Sequence, residues 1–248
     1  MKINLKMPSK KMQQRILNVL LCLCLVVLAV RAIQRWVADV CKVPTDSMEN
    51  AVMAGDRLVV RKMQEFGRGD VIVFNHPDGS DVQLVKRCIG LPGDTVRIFQ
   101  SVIYINGQAA AAIPTVRKCP WDFSLDFPLR SLGWDINNYG PVVVPARNLS
   151  VPLDSAAMNL YRNMIRTEGH EVSCTDGIFY IDTKQATDYT FRTDGYFVLG
   201  DNRGNSLDSR HWGFVSEELV VGKVWMVYFS RDAIRSRIRW DRIGKKVE

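Results

Sequence analysis

Lys86 stands where a strand calls for an apolar side chain. The run Val82-Gln83-Leu84-Val85-Lys86-Arg87-Cys88-Ile89 has strand composition, and Gly90-Leu91-Pro92-Gly93-Asp94 ends it with turn residues. Side chains alternate across a strand, so Lys86 shares a face with Leu84 and Cys88 while Arg87 points the other way. One of two adjacent cations then lies against apolar neighbours. A lysine held there has its charged form disfavoured, its pKa falls, and it becomes a general base near neutral pH. A lone strand lysine has an ordinary alternative, which is to snorkel to solvent. Ser47 is the candidate for the other half of the chemistry: a single loop serine is ordinarily just a turn residue, and what raises this one is its place a few residues after an apolar, membrane-length stretch. It sits in Val43-Pro44-Thr45-Asp46-Ser47-Met48, where Pro44 holds Val43 extended and stiffens the approach.

Histidine does not offer itself as the partner of such a serine. Of His76, His170 and His211, the first lies in the turn-like Asn75-His76-Pro77-Asp78-Gly79, and no G-x-S-x-G elbow occurs. His170-Glu171 lacks the second histidine of H-E-x-x-H, and no C-x-x-C is present, so zinc and dithiol redox sites have no support. No metal or cofactor is expected. A serine nucleophile here needs another base, and a desolvated lysine is the known substitute. A third polar segment, Gly200-Asp201-Asn202-Arg203-Gly204-Asn205-Ser206-Leu207-Asp208-Ser209-Arg210-His211-Trp212-Gly213, must satisfy many hydrogen bonds between two strands. It fails as a calcium loop because Arg203 occupies a ligand position. Asp208 and Arg210 suit a bidentate pair, and Ser206 suits a hydrogen bond to the Lys86 amine.

Short strand-like runs position these groups. They cover 57–62, 70–74, 82–89, 95–99, 102–105, 178–181, 196–199 and 220–229, with Asn106-Gly107 as a hairpin turn. The expected fold is mainly β. One helix is expected where Ala157, Leu160, Tyr161, Met164 and Ile165 recur at helical spacing after Asp154 or Ser155. Residues 109–190, broken by six prolines, read as an inserted α/β subdomain. Its aromatic run Trp121–Phe127 and Trp134 either docks on a lipid surface or forms the insertion's own small core.

The net charge of +7 sits at the ends. The first fifteen residues carry Lys2, Lys6, Lys10, Lys11 and Arg15 with no acid. Residues 231–248 carry seven Lys/Arg against Asp232, Asp241 and Glu248, leaving the middle slightly acidic. A nucleic-acid binder wants its basic surface on the folded domain, so no nucleic-acid partner is expected. The basic start, 1–15, runs into the apolar stretch 16–37, read as one transmembrane anchor, with 38–248 as an extracytoplasmic domain. Arg31 and Gln34 beside the only small-residue site, and the absence of a clean A-x-A, favour an anchor over a cleaved leader. The Lys/Arg excess before the span places the N-terminus in the cytoplasm and the rest outside the inner membrane. Beyond the span, Cys41, Cys88, Cys119 and Cys174 allow three pairings, with Cys119–Cys174 the first to test and free thiols the alternative. The basic tail, with Arg237-Ile238-Arg239-Trp240 alternating, reads equally as a lipid contact or an edge strand.

Taken in order, Pro44-Thr45-Asp46-Ser47-Met48, Arg68-Gly69-Asp70-Val71-Ile72-Val73-Phe74, Val85 to Asp94 and Gly200 to Arg210, after one N-terminal span, resemble the bacterial type I signal peptidases. These are membrane-anchored serine/lysine proteases. The resemblance covers roughly 10–107 and 195–229. It implies a signal-peptidase-like β domain that removes signal peptides from exported preproteins, cleaving after small residues at a lipid bilayer. By position it implies Ser47 as nucleophile, Lys86 as general base, and the Ser47 N–H with the Thr45 hydroxyl as oxyanion hole. Ser206, Asp208, Arg210 and Asn202 would support the site, and Pro44, Met48, Leu84 and Val85 would meet substrate. After Met48 the family reads x-Pro-Thr-Leu, whereas this chain reads Glu49-Asn50-Ala51-Val52, which bears on the loop's geometry. The alternative is an inactive paralogue that binds or scaffolds exported proteins. The related self-cleaving repressors, also serine/lysine, are soluble DNA binders and fit the span poorly.

Overall fold

The computed structural model describes residues 10–62, 65–111, 116, 129, 132–232 and 235–247, with the side chains of 33–36 and 155 excluded. Lys2, Lys6, the side chains of Gln34, Arg35 and Trp36, Cys119 and the 121–127 aromatic run lie outside this description. Two compact units divide the chain, Met1–Asp39 and Val40–Glu248.

The first unit contains the helix Lys10–Trp36. Its 27 residues are about 40 Å long at 1.5 Å each, more than the roughly 30 Å of a hydrocarbon core. Lys10–Ala32 is long and apolar enough to cross a membrane. Leu17, Leu21, Leu25 and Leu28 are all exposed, which in water would be unfavourable for each.

The second unit is mainly β. A seven-stranded sheet runs in the order Ala38–Lys42, Asp56–Arg61, Val220–Ser230, Val71–Asn75, Gln83–Gly90, Gly195–Leu199 and Val215–Ser216. Gln83–Gly90 is interior to it, paired antiparallel to Val71–Asn75 on one side and Gly195–Leu199 on the other. The register sets Ile72 opposite Lys86 and Val73 opposite Val85. Alternation therefore sends Val71, Val73 and Val85 into one core with Leu58, Val60, Val224 and Val227, and Ile72, Phe74 and Cys88 into another with Val198 and Val215. Both faces are covered, so Lys86 and Arg87 are buried alike, at 3% and 1% exposure.

A four-stranded sheet, Gln108–Ala109, Val102–Ile105, Thr95–Phe99 and Tyr139–Val143, packs with the helix Ser155–Thr167 around a third core. Asp154 caps that helix by accepting from Ala157 N at 2.7 Å. Leu160, Tyr161, Met164 and Ile165 form its buried stripe. This core includes Ile89, Val96, Phe197 and Phe214, so the described insertion residues share a core with the flanking strands. Trp134 belongs to it, its ring 4.9 Å from Tyr139. Among the described residues the tail forms no regular strand but makes two isolated antiparallel bridges, Arg231 with Ile238 and Lys246 with Met226 of Val220–Ser230, on either side of the short 3-10 turn Trp240–Arg242. Cys88 is buried and Cys174 exposed, while the Cys119–Cys174 pairing falls outside the described residues.

Candidate active site

The loop 43–56 is tied at its neck by Val43 N to Asp56 O and Gly55 N to Val43 O, both 2.9 Å. Within it Glu49 N donates to Asp46 O at 3.0 Å and Val52 N to Met48 O at 2.8 Å, making consecutive tight turns around Ser47. Met48 and Val52 anchor these turns in the Leu58–Val227 core. Asn50 adopts φ of 85°, a conformation closed to proline. That is the physical content of the Asn50 departure: this turn requires a residue tolerant of the left-handed region.

Ser47 is brought to Lys86 across 39 residues, with Lys86 Nζ 2.6 Å from Ser47 Oγ and 3.2 Å from the Val85 carbonyl. Both side chains are buried. Burial pushes the lysine down to about 8; the Asp208 charge opposes this and the Arg210 charge adds to it. Near neutral pH a usable fraction is then the free amine, a group able to act as a proton acceptor beside the Ser47 hydroxyl. Thr45 Oγ1 lies 3.3 Å from Ser47 Oγ. Among the described residues the Ser47 N–H has no hydrogen-bond partner.

The third segment closes over this pair. Asn202 N donates to the Ser47 carbonyl at 3.0 Å, and Asn202 Nδ2 to Asp46 O and Glu49 Oε2 at 3.3 and 3.2 Å. Arg210 grips Asp208 through Nε and Nη2, each at 2.8 Å, and donates Nη1 to Ile136 O. Asp208 also accepts from Gly200 N and caps the turn Ser209–Trp212. Burial alone would raise the Asp208 pKa, but Arg210, His211 and Gly200 outweigh it and hold the carboxyl well below the usual range.

Ser206 is not joined to Lys86, contrary to the sequence expectation. Its hydroxyl donates instead to the carbonyl of the next residue, Leu207, at 3.4 Å. Of the four residues expected to meet substrate, Pro44 lines an open cleft and Leu84 is half-buried. Met48 and Val85 are buried in the core, Met48 Sδ accepting from Asp201 N, so they form support beneath the site and not an open wall. The cleft, about 730 Å³, runs between Val40–Lys42 and Pro44 on one side and Asn75–His76 and Gly79–Gln83 on the other.

Two features were missed from sequence. Arg87 makes a bidentate pair with Asp201 at 2.8 and 2.6 Å, fully buried, fastening the lysine strand to the third segment. An acid directly after Gly200 was the available signal. Gly200 itself is needed for close approach: a Cβ there would press into the Ser206 side chain and lie 2.6 Å from the Ser47 carbonyl oxygen. Gly200→Ala is therefore expected to push the serine turn aside and lower kcat between about ten- and a hundredfold. Steady-state cleavage rates with circular dichroism confirming the fold measure this, and an unchanged kcat contradicts the contact.

Comparison with known proteins places the chain among sequence relatives. A profile of the family described as signal peptidase, peptidase S26, matches residues 14–130 and 151–229. The signal peptidase I of Buchnera aphidicola subsp. Baizongia pistaciae is 29% identical, over 88% of this chain and 80% of its own. That of Aquifex aeolicus is also 29% identical, over 84% of this chain and 82% of its own. A crystal structure of a signal peptidase I from Enterococcus faecalis V583 matches at 26% identity over 64% of this chain and 97% of that one, with a TM-score of 0.31. The family profile spans most of the chain, including the serine turn, the lysine strand and the polar loop, and the chain belongs to the signal peptidase family, peptidase S26.

Proposed function

We propose that Ser47 and Lys86 carry the reaction of this chain, a serine endopeptidase that removes signal peptides. The observation that carries the assignment is the 2.6 Å separation of Lys86 Nζ and Ser47 Oγ in a dry setting. The neutral amine takes the hydroxyl proton as Oγ attacks the scissile carbonyl carbon. The developing oxyanion accepts from the Ser47 N–H and from the Thr45 hydroxyl, once that hydroxyl leaves Ser47 Oγ. Lys86 then returns the proton to the leaving amine, giving an acyl-enzyme on Ser47. Water attacks this ester with Lys86 again as base, and the serine is restored. Asn202 fixes the Ser47 carbonyl, while Asp208 and Arg210 brace the loop that seals the amine from water. Ser206 supports the site through its packing on Gly200. An extended preprotein segment would run along the cleft lined by Pro44 and Gln83, next to the half-buried Leu84.

The basic residues of 1–15, ahead of the apolar stretch 16–37, favour a cytoplasmic N-terminus and a catalytic unit on the outer side of the inner membrane. Tethering there concentrates the enzyme where preproteins emerge. The test is incubation of the detergent-solubilised chain with a preprotein carrying alanine before the cleavage site. The expected product begins immediately after that alanine, and kcat/KM rises with pH to a plateau through a midpoint of about 8, set by the free Lys86 amine. No product at any pH would favour an inactive binding paralogue instead.

A further inference from the structure

The tail after residue 230 lies beyond the family match, which ends at residue 229, yet it is built onto the far side of the serine loop. Arg231 N donates to the Gly55 carbonyl at 3.1 Å, and a side chain at Gly55, whose φ is 91°, would collide with the Arg231 carbonyl. Arg239 Nη1 donates to Ala54 O at 2.9 Å. Arg242 is the centre of the arrangement. Its Nε lies 3.1 Å from both Asp56 carboxylate oxygens and its Nη2 2.6 Å from Oδ2, while Nη2 also reaches Ala51 O at 3.1 Å. Arg242 is 6% exposed and Asp56 0%. Asp56 in turn accepts from Met53 N at 2.9 Å and receives Val43 N on its carbonyl at 2.9 Å.

We propose that Arg242 is a positioning residue for Ser47, a role that rests on Ser47 being the nucleophile. The guanidinium holds the two limbs of the loop at once. Through Ala51 O it fixes the turn whose Val52 N binds Met48 O, next to Ser47. Through Asp56 it fixes the neck where the chain enters at Val43. The loop has no proline at Asn50 to stiffen it, and a planar, multi-donor cation gives it rigidity from outside. A lysine in this place presents one point charge, which pairs with Asp56 without spanning to Ala51.

Arg242→Lys is the decisive variant because it keeps the buried charge pair balanced and so keeps the fold. In the full-length chain in detergent, kcat per titrated active site is expected to fall between about ten- and a hundredfold, since misplacement of a nucleophile by about 1 Å has that effect. KM should stay within about twofold, because substrate contacts are untouched. The midpoint of the pH profile should stay at about 8, as in the parent. A purely structural role would lower the melting temperature and the active fraction but leave kcat per active site unchanged, and that result overturns the proposal. The parent chain is assayed alongside. A parent that fails to cleave refutes the Ser47–Lys86 reading itself, whereas a cleaving parent matched by the variant refutes only the role of Arg242.

Discussion

Replacing Lys86 by methionine is expected to end processing and to make the protein more stable. The loss follows from removing the only base within reach of Ser47 Oγ among the described residues, and a fall of at least about 10⁴-fold is the scale for such groups. The gain follows from the same burial that makes the base. The lysine pKa drops from 10.5 to about 8 in the fold, with burial the largest cause. Below pH 8 both folded and unfolded chains hold the proton, and the folded state carries the full cost of a desolvated cation, about 3 kcal/mol. Between about 8 and 10.5 the folded amine sheds its proton first, so that cost fades as pH rises. Methionine has the length and none of the charge. It forfeits the hydrogen bonds to Ser47 and Val85, about 1 kcal/mol in return, leaving a net gain of about 2 kcal/mol at pH 6. Urea unfolding at pH 6 and at pH 10.5 separates the cases: the variant's advantage should be present at the first and gone at the second. Lys86→Arg should be equally inactive, because a guanidinium does not deprotonate in proteins. Residual processing above about one part in a hundred for Lys86→Met would exclude the lysine as base.

Chemistry was more legible in the sequence than packing. Lys86 and the 200–213 segment drew attention because their residue types conflict with their surroundings, whereas Ser47, an ordinary loop serine by type, was singled out only by its place after the apolar stretch and by the family resemblance. The strands were legible for a similar reason, bounded by Gly, Asp and Pro; the structure moves 82–89 only to Gln83–Gly90 and 70–74 only to Val71–Asn75. Long-range pairing is what the sequence could not convey. Nothing near Asp56 announces a partner 186 positions away, so the tail read as lipid contact or edge strand and not as a brace. Two-sided burial was equally hidden. A strand read by alternation has an inner and an outer face, but Gln83–Gly90 is interior to the sheet with a core on each side. Hence Arg87 is as buried as Lys86 and needs Asp201, while Val85 supports the site from below. The expected Ser206–Lys86 bond failed because the hydroxyl turns to the carbonyl of its own neighbour, Leu207, a local choice that residue types do not announce.

Asp208→Asn tests whether the polar loop acts on Lys86 as a charge or merely as a plug. The carboxylate is 0% exposed and Arg210 1%, so the amide keeps the shape but strands a buried guanidinium, at a cost of about 3–5 kcal/mol. Thermal unfolding should show a large fall, and Arg210→Met added to the same chain should recover much of it by removing the unpaired charge. The pH profile carries the sharper information. Asp208 raises the Lys86 pKa and Arg210 lowers it, so losing Asp208 alone leaves only the lowering charge. The acidic limb of kcat/KM should move below its parental midpoint of about 8, and the plateau should drop because a less basic amine is a poorer base. Arg210→Met alone should move the limb the other way. A loop that only excludes water gives a different pattern: either substitution would admit solvent, and both limbs would rise toward an ordinary lysine value. Opposite displacements in the two single variants identify the loop as an electrostatic partner of the base, and a rise in both identifies it as a seal alone.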